Sequence, residues 1–329
     1  MNRRESLALL GGASAACSLA AWPRLARAQS VARIGLLSSP AAISDTSPMG
    51  AALTRGLAQR GYTAGRNLAF ERRGAEGQLH RLPGLVGELV ASKVDVVVTT
   101  GYPAARAARQ GTILPIVAIN AGDPVATGLV DSLVRPGGNL TGISDVSREL
   151  TPKRMEFLKL VAPRLKRLAI VWNADDLGMT LRYRATDAAA VAMGIDVLPV
   201  GVREPDDFNG VFDAMNREPP DAILMVADSL TNLNRKRVFD YAAARKLPAI
   251  YEFASFVRDG GLMSYGPDFD ESMDRVAALV DRVLKGARPV DLPFEQPSRF
   301  TLAINLKTAK ALDIELPPVL LARADETIE

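Results

Sequence analysis

The sequence predicts an α/β protein made of two lobes, each built on a doubly wound parallel β-sheet. Short apolar strands alternate with amphipathic helical segments along almost the whole chain, which is the pattern of repeated βαβ units. Part of this pattern occurs twice. About 300 residues remain once an N-terminal export signal is set aside, and a chain of that length usually divides its core between domains.

The first 28 residues have the layout of an export signal. Arg3-Arg4 precedes an apolar run of small residues, and Ala26-Arg27-Ala28 supplies the small residues that a signal peptidase reads. The apolar run is too short and too rich in glycine to span about 30 Å of hydrocarbon. We therefore predict a signal peptide over residues 1–28, cleaved after Ala28, and a periplasmic mature protein. The paired arginines resemble a twin-arginine signal, although Ser6 stands where that signal often has an aromatic residue.

The charge and cysteine content exclude several classes of partner. The signal segment contains four arginines and one glutamate, so it carries the whole formal charge of +3. The rest of the chain is formally neutral, without the electrostatic footprint of a protein that binds nucleic acid or anionic lipid. The only cysteine, Cys17, lies in the signal, so no disulfide is expected in the mature chain. The alternative is that Cys17 carries a lipid, although Ser14 replaces the leucine usual in that motif.

Ten segments have the length and composition of β-strands. Several are continuous runs of Val, Ile and Leu, which is typical of parallel strands covered on both faces. The ten segments are 32–38, 67–72, 94–99, 115–119, 140–143, 167–172, 195–200, 221–227, 248–252 and 261–265.

Helices are predicted between these strands. Segments 79–90 and 269–284 both carry apolar residues at helical spacing. Asp268 and Glu271 form the sequence pattern of a capping box at the start of the second segment. Gly286 predicts its end, because glycine readily adopts the left-handed conformation that follows a helix.

A strand–helix–strand unit is repeated loosely along the chain. Residues 94–101 begin with an apolar strand, and a helix then leads to a strand that opens with Leu-Pro at 114–117. Residues 220–228 and 247–251 repeat the same order. The repeat predicts two similar Rossmann-like lobes with a boundary near residues 144–150. Chance similarity between two βαβ units is the alternative explanation.

The candidate ligand-binding residues lie where predicted strands end. Ligands of open parallel sheets bind beyond the carboxyl ends of the strands. The candidates are Ser38, Ser39, Thr100, Gly101, Tyr102, Asn120 and Asp123 in the first lobe, and Asn173, Asp228, Tyr251 and Tyr265 in the second. We expect Thr100 and Gly101 to hold an acid group and Asp123 or Asp228 to hold an amine. The two tyrosines would cover an apolar body.

Each candidate also has a structural interpretation. Gly101 is an ordinary turn residue, and Asp123 fits the cap of a following helix. Asp175-Asp176, at the end of another strand, fits a solvated loop. Tyr251 and Tyr265 fit core rings with hydrated hydroxyl groups.

The residues required for catalysis are mostly missing. His80 is the only histidine, and it opens a helix of surface type. Without a second histidine or a cysteine in the mature chain, Ser–His catalysis and a histidine-rich metal site are not expected. No glycine-rich dinucleotide or phosphate-binding motif is present. We therefore predict a binding protein without catalytic residues, metal or cofactor.

Long segments of the chain resemble a known family. They are GYTAGRNLAFERRGAEG (61–77), LPGLVGELVASKVDVVVTTG (82–101), GDPVATGLVDSLVRPGGNLTG (122–142), LPAIYEF (247–253), GGLMSYGPD (260–268) and INLKTAKALDIELPPVLLARADETIE (304–329). The chain from Arg33 to Ala324 resembles the ABC transporter substrate-binding proteins with the type 1 periplasmic-binding fold, of the uncharacterised or tryptophan-uptake kind.

The resemblance implies two lobes joined by a hinge that the chain crosses three times. The first lobe would comprise 31–144 plus 267–300, and the second 145–266 plus 301–329. It further implies that the protein captures a small solute and delivers it to a membrane permease. We expect a monomer whose partner is an ABC permease in the inner membrane. Some relatives bind aromatic amino acids.

The ligand does not carry over from the resemblance. Relatives often read Asn-Pro where this chain has Asn173-Ala174-Asp175-Asp176, and Tyr102 replaces a commoner small residue. An amino acid or another small organic acid therefore remains the expected ligand class. The alternatives are a sensory ligand-binding protein that docks to a membrane receptor, and an exported α/β enzyme.

Overall fold

A computed structural model describes residues 31–329, so the predicted signal peptide, Cys17 and the cleavage site lie outside the described residues. The described chain contains two sheets. The first is parallel, with the order β2-β1-β3-β4-β5. Its strands are β1 Ala32–Ser38, β2 Leu68–Gly74, β3 Val96–Thr100, β4 Ile116–Ile119 and β5 Leu140–Ile143, and the helices between them are α1 Pro48–Ala58, α2 Leu82–Ala91 and α3 Tyr102–Gly111.

The second sheet has seven strands in the order β12-β11-β10-β9-β8-β6-β7, parallel except for the β10–β11 pair. Its strands are β6 Arg167–Asn173, β7 Asp196–Val202, β8 Ala222–Met225, β9 Ala249–Tyr251, β10 Met263–Pro267, β11 Phe300–Asn305 and β12 Glu326–Ile328. The remaining helices are α4 Thr151–Val161, α5 Leu177–Ala192, α6 Asp207–Arg217, α7 Ser229–Leu233, α8 Arg235–Arg245, α9 Ala254–Arg258, α10 Phe269–Leu284, α11 Leu306–Leu312 and α12 Pro318–Leu321.

Helices cover both faces of each sheet, as the apolar strand sequences require. In the first sheet, Ile34 and Val98 face α1 and α10, whereas Val97 faces α2 and α3. The second sheet likewise packs against α4 and α5 on one face and against α6 and α8 on the other. The predicted fold class, two doubly wound α/β lobes, is therefore confirmed. None of the described helices has both the length and the apolar character needed to span a membrane.

The chain passes between the two sheets three times. It leaves the first sheet after β5, returns after β10 to form α10, and rejoins the second sheet at β11. Helix α10 packs on the first sheet beside α1, where an added Cβ on Gly56 would lie only 2.7 Å from the Cβ of Ala277. These passages bring the carboxyl ends of both sets of parallel strands toward one another.

All ten predicted strands are present, with ends shifted by a few residues. Strands β11 and β12 are missing from the prediction. Strand β11 runs antiparallel to β10 and follows a return from the first lobe, so the βαβ alternation gave no signal for it. The predicted helix 79–90 begins as a short 3₁₀ turn at Leu79–Arg81 and continues as α2.

The predicted capping box of α10 forms only in part. Asp268 caps the helix by accepting a hydrogen bond from the Glu271 N–H at 2.7 Å. The Glu271 carboxylate accepts instead from the backbone N–H groups of Ser298 and Arg299, at 3.1 and 2.8 Å. This joins the start of α10 to the segment that returns to the second lobe. Gly286 ends the helix region with φ of 99°, as predicted.

Candidate functional site

Three neighbouring strands of the first sheet end in polar residues. The register pairs Ser38 at the end of β1 with Thr100 at the end of β3, and Thr100 with Ile119, which precedes Asn120. Asn120 has φ of 56°, a left-handed conformation that asparagine tolerates better than most residues. The structure therefore brings these three predicted site residues together along one edge of the sheet.

The two serines after β1 have different surroundings. The Ser38 hydroxyl donates to the Ala41 carbonyl at 2.6 Å and so stabilises the turn. Ser39 is 1% exposed, and its Oγ has no hydrogen-bond partner within residues 31–329. Side chains alternate between faces along a strand, so Ser39 continues the face of Leu37, which α2 and α3 cover. An unpaired buried hydroxyl is costly, which makes Ser39 a candidate for contact with a ligand.

The N-terminus of α3 is uncapped. Gly101 precedes the helix with φ of 84° and ψ of 158°, a conformation that is largely confined to glycine. No side chain caps the helix, and the N–H groups of Tyr102 and Ala104 donate to no described residue. Free N–H groups and the helix dipole favour an anion at this position. The Tyr102 ring packs into the core beside α3.

The second lobe presents two carboxylates at the ends of β6 and β8. Asn173 Nδ2 donates to Asp228 Oδ2 at 2.6 Å. Asp228 also caps the short helix α7 by accepting from the Thr231 N–H at 2.8 Å. Asp176 caps α5 by accepting from the N–H groups of Gly178 and Met179, at 2.8 and 3.2 Å. Asp176 is 3% exposed and therefore lies in no solvated loop.

Burial changes the acidity of this carboxylate pair. Desolvation is the main cause that raises the pKa of Asp176 to about 6, and the neighbouring Asp228 raises it further. Desolvation also raises the pKa of Asp228, although its hydrogen bonds with Thr231 and Asn173 oppose this shift. The adjacent Asp175 is exposed and pairs with Arg203 at 3.2 Å. Only Asp175 fits the solvated-loop interpretation.

The two lobes touch at glycines beside these groups. An added Cβ on Gly178 would lie 3.5 Å from the Cβ of Tyr102, and one on Gly122 would lie 3.6 Å from the Cα of Gly178. The start of α5 in the second lobe therefore lies against the start of α3 in the first. The lobes are closed on one another in this structure.

Asp123, which we predicted to bind an amine of the ligand, already has partners within the protein for both carboxylate oxygens. Its Oδ1 accepts from the N–H groups of Val125 and Ala126, at 3.1 and 3.0 Å, and caps a turn there. Its Oδ2 pairs with Arg148 at 2.6 Å. Beside this pair lies a cavity of about 20 Å³ that Arg182 also lines, room for about one water molecule. These contacts favour the capping interpretation of Asp123.

The predicted tyrosines lie within the second lobe. Tyr251 is 1% exposed and stacks on Phe256, with ring centroids 5.7 Å apart and a 10° interplanar angle. Tyr265 is partly buried and meets Phe157 edge-on at 5.1 Å. Packing accounts for both rings, as the structural interpretation of these residues expected.

Sequence reasoning missed a buried ionic network beside the cleft. Arg182 on α5 donates to Glu252 Oε2 at 2.8 Å and pairs with Asp145, and Arg154 on α4 lies 3.3 Å from Glu252 Oε1. Ser147 donates to the same carboxylate. Burial alone would raise the pKa of Glu252, but Arg182 and Arg154 outweigh it and lower the pKa. The sequence offered one indication of this network, because the charged residue Glu252 directly follows the apolar strand that ends at Tyr251.

A comparison with protein families identifies the family of this chain. A family model described as ABC transporter substrate binding protein matches residues 37–328. The chain belongs to this family. Members of this family, the tyrosine-binding relative and the L-Trp-bound neighbour described below are binding proteins, not enzymes. No group of His, Cys, Asp or Glu side chains suited to a metal ion occurs within residues 31–329.

Individual relatives of this substrate-binding protein support the assignment. A tyrosine-binding protein of Clostridioides difficile is 26% identical over 262 residues, covering 79% of this chain and 75% of the relative. A conserved domain protein of Vibrio cholerae superposes with a TM-score of 0.83 at 26% identity, covering 90% of this chain and 99% of the other. An ABC domain of Streptococcus pneumoniae in complex with L-Trp has a TM-score of 0.78 at 25% identity, covering 90% and 100%.

Proposed function

We propose that this protein is the exported solute receptor of an ABC importer. It captures a small organic ligand, an amino acid or an aromatic or other organic acid, and delivers it to a permease in the inner membrane. The family supports this proposal, as do a tyrosine-binding relative and a neighbour solved with L-Trp. The protein acts as a monomer in the periplasm.

The mechanism is closure of two lobes about a hinge. The lobes comprise 31–144 plus 267–300 and 145–266 plus 301–329. A ligand that contacts both walls favours the closed form over the open form by its additional contacts. The permease then recognises the surface that forms when the lobes close.

The observation that carries the proposal is the uncapped N-terminus of α3 opposite the second lobe. Thr100 and Gly101 lead directly into this helix, and Ser39 follows Ser38, the neighbour of Thr100 on the adjacent strand. The free N–H groups, together with the unpartnered Ser39 hydroxyl, suit a carboxylate. The direct contact between Gly178 and Tyr102 brings the second lobe within reach of the same ligand.

A thermal-shift screen tests this function. Purified mature protein is incubated with the twenty L-amino acids and with aromatic acids, and compounds that raise the melting temperature are titrated by calorimetry. A binder at 100 times its Kd stabilises the folded state by about 2.7 kcal/mol. If no compound in a broad solute panel raises the melting temperature, the solute-receptor function is contradicted.

Replacement of Ser39 tests the acid-binding wall. Ser39→Ala removes a hydroxyl that bonds to no described residue, so the fold loses no hydrogen bond. We expect affinity for the best binder to fall by about three- to tenfold, the effect of one hydrogen bond. Ser264→Ala is the matched control, because Ser264 also has a buried, unpartnered Oγ but lies within the second sheet.

Transport and export need separate measurements. Uptake of the labelled binder should fall in a strain that lacks the gene and recover when the gene is restored. Normal uptake in that strain would favour sensing over transport. Mass spectrometry of exported protein should find Gln29 at the N-terminus, and light scattering should give a monomer mass.

A further inference from the structure

The first crossing between the two lobes is confined to a few residues. The Ser144 N–H donates to the carbonyl of Glu295 at 2.9 Å, and Glu295 is bridged to β5 of the first sheet. The Ser147 hydroxyl donates instead to Glu252, which directly follows β9 of the second sheet. One serine is thus fixed to each lobe. The backbone torsions of the two residues between them therefore connect the lobes at this crossing.

One of these two residues, Val146, has a strained backbone. Its φ of 43° is left-handed, a conformation in which a β-branched residue is a genuine outlier. Within residues 31–329 the other residues with positive φ, apart from glycines, are Glu76, Lys93, Asn120, Lys246 and Asp313, none of which is β-branched. Lys246 and Asp313 end α8 and α11, where this conformation is common. Val146 lies ahead of α4 and ends no helix, so tertiary contacts must impose its conformation.

The contacts that impose this conformation come from both sides of Val146. The Ser144 hydroxyl accepts a hydrogen bond from the Val146 N–H at 3.2 Å. The Asp145 carboxylate accepts from the Ser147 N–H at 3.1 Å and also pairs with Arg182 on α5. The Val146 side chain is only 8% exposed. Backbone strain persists where the surrounding structure over-determines a residue in this way.

The other two crossings have a different construction. They run side by side, because β10 and β11 pair as far as Pro267 and Phe300, and the Asp268 N–H donates to the Arg299 carbonyl at 2.9 Å. In the described structure no residue of 263–268 or 296–305 has a positive φ. A paired, extended ribbon can bend through small changes in many torsions, whereas a single turn concentrates the change in a few residues. The first crossing is therefore where closure of the lobes leaves local strain.

Building on the hinged closure of the proposed function, we propose that Val146 is a strained hinge residue that opposes closure. Its left-handed conformation belongs to the closed form, in which Gly178 touches Tyr102, and opening returns it to an ordinary negative φ. The contacts of the ligand must then offset this strain before the closed form dominates. Val146 thereby lowers the affinity for the ligand, keeps the empty protein open and favours release of the ligand.

Two substitutions at this position isolate the backbone strain from side-chain packing. Val146→Gly and Val146→Ala both remove most of the buried side chain, but only glycine lacks the Cβ that disfavours a positive φ. Lost packing is common to both variants, so the difference between them reports the strain. We expect Val146→Gly to bind the ligand about fivefold more tightly than Val146→Ala.

Affinity and lobe closure are measured separately. Calorimetry with L-tyrosine, L-tryptophan and any other solute that binds in the thermal-shift screen gives the affinity. Spin labels on Gln78→Cys and Glu204→Cys report the distance between the lobes, because these exposed residues follow β2 and β7 and Cys17 lies in the predicted signal peptide. Without any solute, Val146→Gly should populate the short, closed distance more than Val146→Ala does.

Lys246 provides the matched control. It has the same left-handed conformation, with φ of 53°, but it is exposed and ends α8 away from the crossings. Lys246→Gly should be more stable than Lys246→Ala by denaturant unfolding, because the Cβ strain is present in the folded state only. The two variants at this position should have equal affinities and equal distance distributions.

The outcomes separate this inference from the general function. If Val146→Gly is more stable than Val146→Ala but the two have equal affinities and equal distances, Val146 is strained in the open and closed forms alike. That result overturns the hinge inference and leaves the solute-receptor function intact, as does tighter binding by Val146→Ala. If no solute binds, the solute-receptor function fails, and the distances in the empty protein still decide whether Val146 opposes closure.

Discussion

Arg182 and Glu252 form a buried ion pair in the second lobe, with 2.8 Å between Nη1 and Oε2. Arg182 also binds Asp145, which lies in the segment that crosses from the first lobe to the second. Arg182 thus joins the hinge crossing to α5, the helix whose first turn touches the first lobe. These ion pairs therefore connect the interlobe crossing to the helix that borders the candidate ligand site.

Neutralising Glu252 should destabilise the protein strongly. Glu252→Gln leaves both Arg182 and Arg154 short of a buried counter-charge, and breaking one partner of a buried pair costs about 3–5 kcal/mol. The free energy of unfolding from denaturant titration measures the effect. Asp240→Asn is the control, because its pair with Lys236 is exposed and should contribute less than about 1 kcal/mol. Equal effects of the two variants would contradict the structural role of Glu252.

The free energy of unfolding of the ligand-free protein should depend on pH through the titration of Asp176. Its folded-state pKa of about 6 lies above the ordinary value of 3.8, so the folded state binds more protons than the unfolded state between these values. Stability from this group is therefore present at low pH and falls as pH rises through 6, by about 1.4 kcal/mol between pH 5 and pH 7.5. Denaturation of wild type and Asp176→Asn across this range measures the difference. Parallel pH profiles of the two proteins would argue against a raised pKa.

A bulky residue at Gly178 should prevent closure. An added Cβ at this position would already lie 3.2 Å from Asp176 Oδ1 and 3.5 Å from the Tyr102 Cβ, so the longer side chain of Gly178→Leu would occupy the space where the lobes meet. We expect at least tenfold weaker ligand binding, and a larger radius of gyration by solution scattering when ligand is present. Gly210→Ala in α6 is the control, since nothing lies within 4 Å of its added Cβ. Unchanged affinity of Gly178→Leu would show that binding does not need this contact.

Tyr251 should serve stability and not ligand binding. Its ring packs against Phe239 and Phe256 in the core of the second lobe. Tyr251→Phe should keep ligand affinity within about twofold, whereas Tyr251→Ala should cost about 3–5 kcal/mol of stability by leaving a cavity. Calorimetry and denaturant unfolding measure the two effects. A large loss of affinity in Tyr251→Phe would show that the Tyr251 hydroxyl takes part in ligand binding.

Part of the site was accessible from sequence because strand ends follow from local pattern. Thr100, Gly101 and Asn120 could be grouped on one edge, since parallel strands end on the same side of a sheet. The opposite lobe was harder to predict. Asp176 directly follows Asp175 in the sequence, yet Asp176 caps α5 and is buried, whereas Asp175 is exposed and pairs with Arg203.

The sequence alone determined the two-lobed α/β class, the positions of ten strands and the family resemblance. These features depend on hydrophobic periodicity and on residues close together in the chain. Only the tertiary structure decided that Asp123 pairs with Arg148, that Tyr251 belongs to the core, and that Arg182 joins Asp145 to Glu252. Burial and charge pairing depend on neighbours distant in sequence, and no local pattern of residues specifies which of them meet.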